Sequence, residues 1–228
     1  MPFFDGKCIL EIIVEKLKKS FPLISIIVCT TIDKKDDAVV KFCENKNLNY
    51  FRGDEKNVLK RFIEAGYFYK AQNIVRICAD NPFLDVNFLE ELLRFHNENQ
   101  EADYWSYKNG KNVPVIKTHF GFFAEIVTID ALLKVASITS EPIYLEHVTN
   151  FIYENDLFES KLKILPGFLK ERNDLRFTID DFSDFEILQE VYHYYNEVNY
   201  DIEKTILFVE KNPLILKSMI ENINKYSK

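Results

Sequence analysis

Residues 23–30 (LISIIVCT) are apolar almost without a break and rich in β-branched side chains. A run without alternation predicts a strand covered by helices on both faces, as in a parallel sheet. Before it, Ile9, Leu10, Ile12, Ile13 and Leu17 fall on one helical face. After it come a polar helix over roughly 35–46, a short strand at 48–51 and a helix whose apolar side is Val58, Leu59, Phe62, Ala65 and Tyr69. Asp54 is placed to cap that last helix. Residues 74–77 form the next strand, and a helix follows over about 86–97. Strand and helix alternate throughout, which predicts a doubly wound α/β sheet. From Ala102 the rhythm changes. Residues 103–106, 113–116 and 118–127 read as closely linked strands, an antiparallel excursion or small lobe. Helices are expected at 129–137, 145–154, 182–195, 202–211 and 213–225, with Pro213 at a first helical position.

Two carboxylates stand out within this pattern. Asn81-Pro82 stops the 74–77 strand at once and delivers Asp80 to its carboxyl end, the edge where open α/β sheets bind ligands. Leu175, Phe177 and Ile179 alternate up to Asp180 in the same manner. Two strands ending in carboxylates could clamp a hard cation such as Mg²⁺ against a nucleotide phosphate. Each Asp could equally cap the helix behind it.

Composition narrows the function classes. The 228 residues are 47% hydrophobic with net charge −7, which argues against a nucleic-acid backbone as partner. No apolar run reaches the ~20 residues of a membrane span, and the first residues lack a signal-peptide pattern, so the expected location is cytoplasmic. Cys8, Cys29, Cys43 and Cys78 show no paired spacing and are expected as reduced, inert thiols. His96 and His193 sit among polar helical residues and read as surface groups. Arg52-Gly53 is an ordinary strand-to-helix turn or, at a carboxyl edge, part of a site.

Four blocks then bring a family into view: YFRGDEKNVLKRF (50–62), IVRICADNPFLD (74–85), YLEHVTNFIYEN (144–155) and LRFTIDDFSDFEIL (175–188). In this order they resemble the cytidylyltransferase-like sugar nucleotide enzymes. The nearest branch is the spore-coat polysaccharide biosynthesis group, related to the 3-deoxy-manno-octulosonate and acylneuraminate cytidylyltransferases. The resemblance implies a GT-A-like three-layer fold with a mostly parallel central sheet. It would comprise a nucleotidyltransferase-like domain over 1–200, a small antiparallel lobe at about 103–150 that often makes a homodimer, and a helical extension over 201–228. It implies a reaction in which a sugar or sugar acid attacks the α-phosphate of CTP, releasing pyrophosphate and leaving a CMP-sugar for surface polysaccharide. It implies Mg²⁺ held by Asp80 and Asp180, with Arg52, Gly53, Asn57 and Val58 joining Asp80 around the nucleotide. His119, Glu125, Glu146 and His147 would line the sugar side or a dimer contact, although Glu146-His147 is equally a structural pair.

The departures are local. Members of that family carry a buried strand and a loop of the type A-R-x-x-S-x-R-L-P-G-K, whose amides and basic residues cradle the triphosphate. The present sequence opens at MPFFDGK, which aligns with the linker after that loop. Three expectations compete: a start lying upstream, which is preferred; a silent homologue acting as a binding or assembly module; or a strand donated by another chain. Without that strand, the one at Ile24 to Cys29 would lack a neighbour. Lys7, the remaining nearby base, reads as a solvated turn lysine. The family's D-T-P-E-D is Asp180-Asp181-Phe182-Ser183-Asp184, and Phe123 replaces an acidic residue of G-L-D-V-E. A glycosyltransferase on the same fold is disfavoured, since only Asp103-Tyr104-Trp105 stands where a compact D-x-D would be needed.

Overall fold

The computed structural model describes residues 1–226. The chain alternates α1 (Ile9–Ser20), β1 (Ile27–Thr31), α2 (Asp37–Asn45), β2 (Asn49–Gly53), α3 (Val58–Phe68), β3 (Asn73–Arg76) and α4 (Val86–Glu98). It continues with β4 (Tyr104–Lys108), β5 (Glu125–Thr128), α5 (Ile129–Ile138), α6 (Pro142–Glu146) and α7 (Asn150–Tyr153). β6 (Ser160–Ile164), α8 (Gly167–Lys170), α9 (Phe182–Glu197), α10 (Ile202–Lys211) and α11 (Pro213–Tyr226) complete it.

The strands form two groups. β1 and β2 make a parallel pair, while the other four lie in the order β3-β5-β4-β6. β5 runs against both of its neighbours and β4 is parallel to β6, so three of these four strands share a direction. The architecture is a mixed α/β fold with a mostly parallel central sheet. The antiparallel excursion expected after Ala102 is realised by β5 inside this sheet. The main core joins Trp105, Phe122, Phe177 and Tyr192 to Ile206 and Met219, so α10 and α11 bury their apolar faces in the same core as the sheet.

Several expected elements are shorter than the hydrophobic pattern suggests. The apolar run at 23–30 becomes a strand only from Ile27, and Leu23 is almost wholly exposed. On the side away from β2, β1 has no strand partner among the described residues. Residues 113–116 form a turn and a short 3-10 segment instead of a strand, because Asn109 binds the backbone of Lys111 and Val113 through its side chain. In the 118–127 run the ladder begins only at Glu125. The helix expected at 145–154 is broken between His147 and Thr149. Residues 175–179 lie outside the sheet. Phe177 N–H binds His119 O at 2.7 Å and Ile179 N–H binds Asp80 O at 3.1 Å, so the segment divides its bonds between two neighbours.

Between β1 and β3 lies a cleft of about 800 Å³, walled by apolar side chains of α1, α3 and α4 such as Ile13, Phe62 and Leu89. β3 is also an end strand of its sheet, so two strand edges border one apolar slot. Backbone groups on an unpaired edge are open to solvent exchange. Amides of β1 are therefore expected to exchange on the order of 100-fold faster than those of β4, which is paired on both sides. Hydrogen exchange read by mass spectrometry over 27–31 and 104–108 checks this, and equal protection would refute it.

Candidate functional site

Ile74 and Val75 pack on the core as β3, and the backbone turns at Ala79-Asp80. Lys16 of α1 pins the next stretch of backbone, donating to Leu84 O at 2.8 Å and Pro82 O at 3.2 Å. Burial pushes this ammonium down to about 8. The Ile179 N–H to Asp80 O bond then sets the backbone of Asp180 next to that of Asp80. The two segments therefore run side by side, although they are far apart in the chain, and the charge of Asp180 is felt at Asp80.

Capping does not account for either of them. Asp85 caps α4 through the N–H groups of Asn87 and Phe88, and Asp181 caps α9 through that of Asp184. Asp80 keeps one carboxylate oxygen buried and without a hydrogen-bond partner. Burial raises its carboxyl above the ordinary carboxylate range; its own backbone N–H offsets part of this, and the negative charge of Asp180 adds to the rise. Among the described residues no group of three or more His, Cys, Asp or Glu side chains is arranged to hold a metal; the orphaned oxygen of Asp80, with Asp180 on the adjoining segment, offers oxygen donors of the kind a hard cation takes when water or phosphate fills its other positions. Asn81 Oδ1 and Thr178 Oγ1, on the two converging segments, are also buried without partners.

Asp180 is itself held. Arg176, buried at 1% exposure, donates to Asp180 Oδ2 at 2.5 Å and grips Asp184 with Nε and Nη2 at 2.8 and 2.7 Å. Its Nη1 lies 2.6 Å from His119 Nδ1; Arg must donate there, so the imidazole keeps its proton on Nε2. Burial pushes the Asp184 carboxyl up, but bonds from Arg176, the Asp180 N–H and Asn222 outweigh it and hold the group below its ordinary range. Gly121 lets the His119 segment approach this strand: its φ is +66°, and a Cβ there would lie 2.6 Å from Phe177 O. Gly121→Ala is thus expected to cost about 2 kcal/mol. Chemical denaturation measures this, and a loss near zero would contradict the close approach.

Other predicted residues have local partners. Arg52 donates to Thr31 O, Asp33 O and Asp37, tying the carboxyl ends of β1 and β2 to α2. Gly53 has no room for a Cβ, which would lie 2.8 Å from Arg61 Cγ. Asn57 caps α3, whose first residue is Val58 and lines the cleft. Asp54 instead closes a turn onto the N–H groups of Lys56 and Asn57, so the expected cap falls three residues later. Glu125 points inward at 2% exposure, bonded to Arg76 and Tyr104 at 2.5 Å and to Thr149 at 3.1 Å. That placement corrects its assignment to a sugar-facing or dimer-facing surface: Arg76 and Glu125 are cross-strand partners in the ladder, and their charges neutralise each other in the interior. Glu146 is exposed and His147 half-buried, both at the end of α6. Lys7 pairs with Glu15 at 2.7 Å. All four cysteines are free, and burial pushes the thiols of Cys29 and Cys78 up to about 11. Sequence reasoning missed Arg176 and Lys16; the signal for Arg176 is a cation in an otherwise apolar alternation, four residues before an Asp.

Known proteins resemble this chain in sequence or in fold. A family model described as cytidylyltransferase matches residues 1–223. An uncharacterized protein of Methanocaldococcus jannaschii is 40% identical over 97% of this chain and 87% of its own length. The spore coat polysaccharide biosynthesis protein SpsF of Bacillus subtilis is 27% identical over 83% of this chain and 76% of its own. A cytidylyltransferase structure from Leptospira borgpetersenii superposes with a TM-score of 0.79 at 28% identity, covering 95% of this chain and 88% of that one. A CMP:2-keto-3-deoxy-manno-octonic acid synthetase complexed with CTP shares the fold, with a TM-score of 0.61 at 11% identity over 83% and 87% of the two chains.

Proposed function

We propose, because this chain belongs to the cytidylyltransferase family, that it transfers a CMP group from CTP to a sugar or sugar acid and releases pyrophosphate. The observation that carries this reading is the buried, partnerless oxygen of Asp80 beside Asp180, on the border of the β1–β3 cleft. The two carboxylates would hold Mg²⁺, which when bound offsets the negative charge of the phosphates.

The protein's own part is positioning. Arg176 holds Asp180 through one oxygen, and Lys16 holds the loop that carries Asp80. The base and ribose would lie against Gly53, Asn57 and Val58, at a corner that Arg52 braces. His119, with its proton on Nε2, would face the sugar, and Glu146 and His147 would border it or a second copy in a homodimer. Among the described residues no helix is long and apolar enough to cross a membrane; action in the cytoplasm, supplying surface polysaccharide, belongs to the same proposal.

Pyrophosphate release from CTP and Mg²⁺, assayed across a panel of sugars and 2-keto sugar acids, tests this reading. Release with CTP and with no other nucleoside triphosphate is expected. A second reading is that the chain binds nucleotide without turning it over. CTP binding with no release from any acceptor would select it, and absence of both would overturn the pair.

A further inference from the structure

We infer that α11 acts as a clasp on the carboxylate loop, so that the grip of the site on a divalent cation is set partly from the C-terminal helix. This rests on the cation assignment of the preceding subsection. Asp180 and Asp181 lead into α9 without a ladder of their own, and Asp184, in the first turn of that helix, is their inner anchor: Asp184 Oδ2 accepts from the Asp180 N–H at 3.0 Å and from Arg176. The other oxygen of Asp184, besides Arg176 Nε, takes Asn222 Nδ2 at 2.7 Å, and Asn222 also reaches Ser183 Oγ at 3.2 Å.

One turn further along α11, Tyr226 lays its ring over the Arg176 guanidinium with 4.9 Å to the centroid. Its hydroxyl donates to Asp181 Oδ2 at 2.7 Å, and Lys225 reaches the same oxygen at 2.7 Å. The Asp181 carboxylate thus accepts from Lys225, the Asp184 N–H, Ser183 and Tyr226 together. Three residues of α11 thus fix both ends of the turn and one face of the arginine that orients Asp180. None of them reaches Asp180 directly, so Asn222 and Tyr226 are positioning residues. Groups that orient a ligand without touching the metal commonly alter affinity by about 10-fold or more when removed.

Binding of Mn²⁺, followed by electron paramagnetic resonance with CTP present, tests the clasp without depending on turnover. Asn222→Ala is expected to weaken Mn²⁺ binding about tenfold. Tyr226→Phe, which keeps the ring over Arg176, should weaken it less than Tyr226→Leu. Met219→Ala removes core packing of α11 and keeps every bond from that helix to Asp181, Asp184 and Ser183. It should lower the melting temperature and leave Mn²⁺ affinity unchanged. If Asn222→Ala also lowers only the melting temperature, the clasp is overturned and α11 is packing alone. Asp180→Asn separates the two levels: loss of Mn²⁺ binding retains the cation site whatever the clasp variants do, and unchanged binding removes that site and the clasp with it.

Discussion

Asp80→Asn is expected to abolish Mg²⁺-dependent CTP binding and, in the same protein, to raise the melting temperature. The two effects share one cause. At neutral pH the native state holds a half-buried carboxylate with one oxygen lacking any partner, next to a second negative charge. Such a group stabilises a bound cation and destabilises the cation-free fold. The neutral amide removes about 1 kcal/mol of that penalty, which corresponds to roughly 2–4 °C for a chain of this size. The raised folded value sets the sign of the pH dependence. The folded state binds the Asp80 proton more tightly than the unfolded chain does, so the wild-type protein loses stability as pH rises through the folded value. Acidification protonates it again, and the advantage of the variant shrinks as pH falls toward the ordinary carboxylate range. Calorimetric titration with CTP and Mg²⁺, paired with melting curves at neutral and acidic pH, reads all of this. Retained CTP affinity would remove Asp80 from the site, and a lowered melting temperature would show that the oxygen has a partner.

Arg176→Met should have the larger effect on the fold, a loss of about 3–5 kcal/mol. The guanidinium is fully buried and offsets Asp184, itself 3% exposed, besides reaching Asp180 and His119. Removing the cation leaves buried negative charge uncompensated, and the Tyr226 ring loses the charge it lies over. Arg176→Met combined with Asp184→Leu should recover part of the loss, because the isolated charge goes too. Urea denaturation of the single and double variants checks both statements. A single variant within about 1 kcal/mol of wild type, the scale expected for a solvated pair, would show that water reaches the cluster.

The pattern of the sequence was informative where one cause dominates. β3 and the turn at Asp80 follow from a short apolar run stopped by Asn81-Pro82, and α4, α5, α9, α10 and α11 follow from unbroken amphipathic spacing. The adjacency of the Asp80 and Asp180 segments was readable because one Asp ends a short apolar run and the other an apolar alternation. It was less visible that Asp85 and Asp181 do the capping, since neighbouring acidic residues are equivalent to a local rule. Glu125 was misplaced for a related reason. Its partner Arg76 lies across a ladder, and no periodicity along one strand reports a cross-strand charge. The 175–179 run alternates like a strand but divides its hydrogen bonds, because buried Arg176 draws it toward Asp184 and His119.

The gap between β1 and β3 also bears on how the molecule comes apart. β1, β2 and α2 share with Val14 of α1 a small core that includes Cys43 and Leu48, separate from the large one that draws on β3, β4 and β5. The weakest seam of the protein therefore runs through its cleft, and the smaller block can open as a local unit before the rest. A ligand touching both walls would act as a suture, linking resistance to proteolytic nicking directly to occupancy.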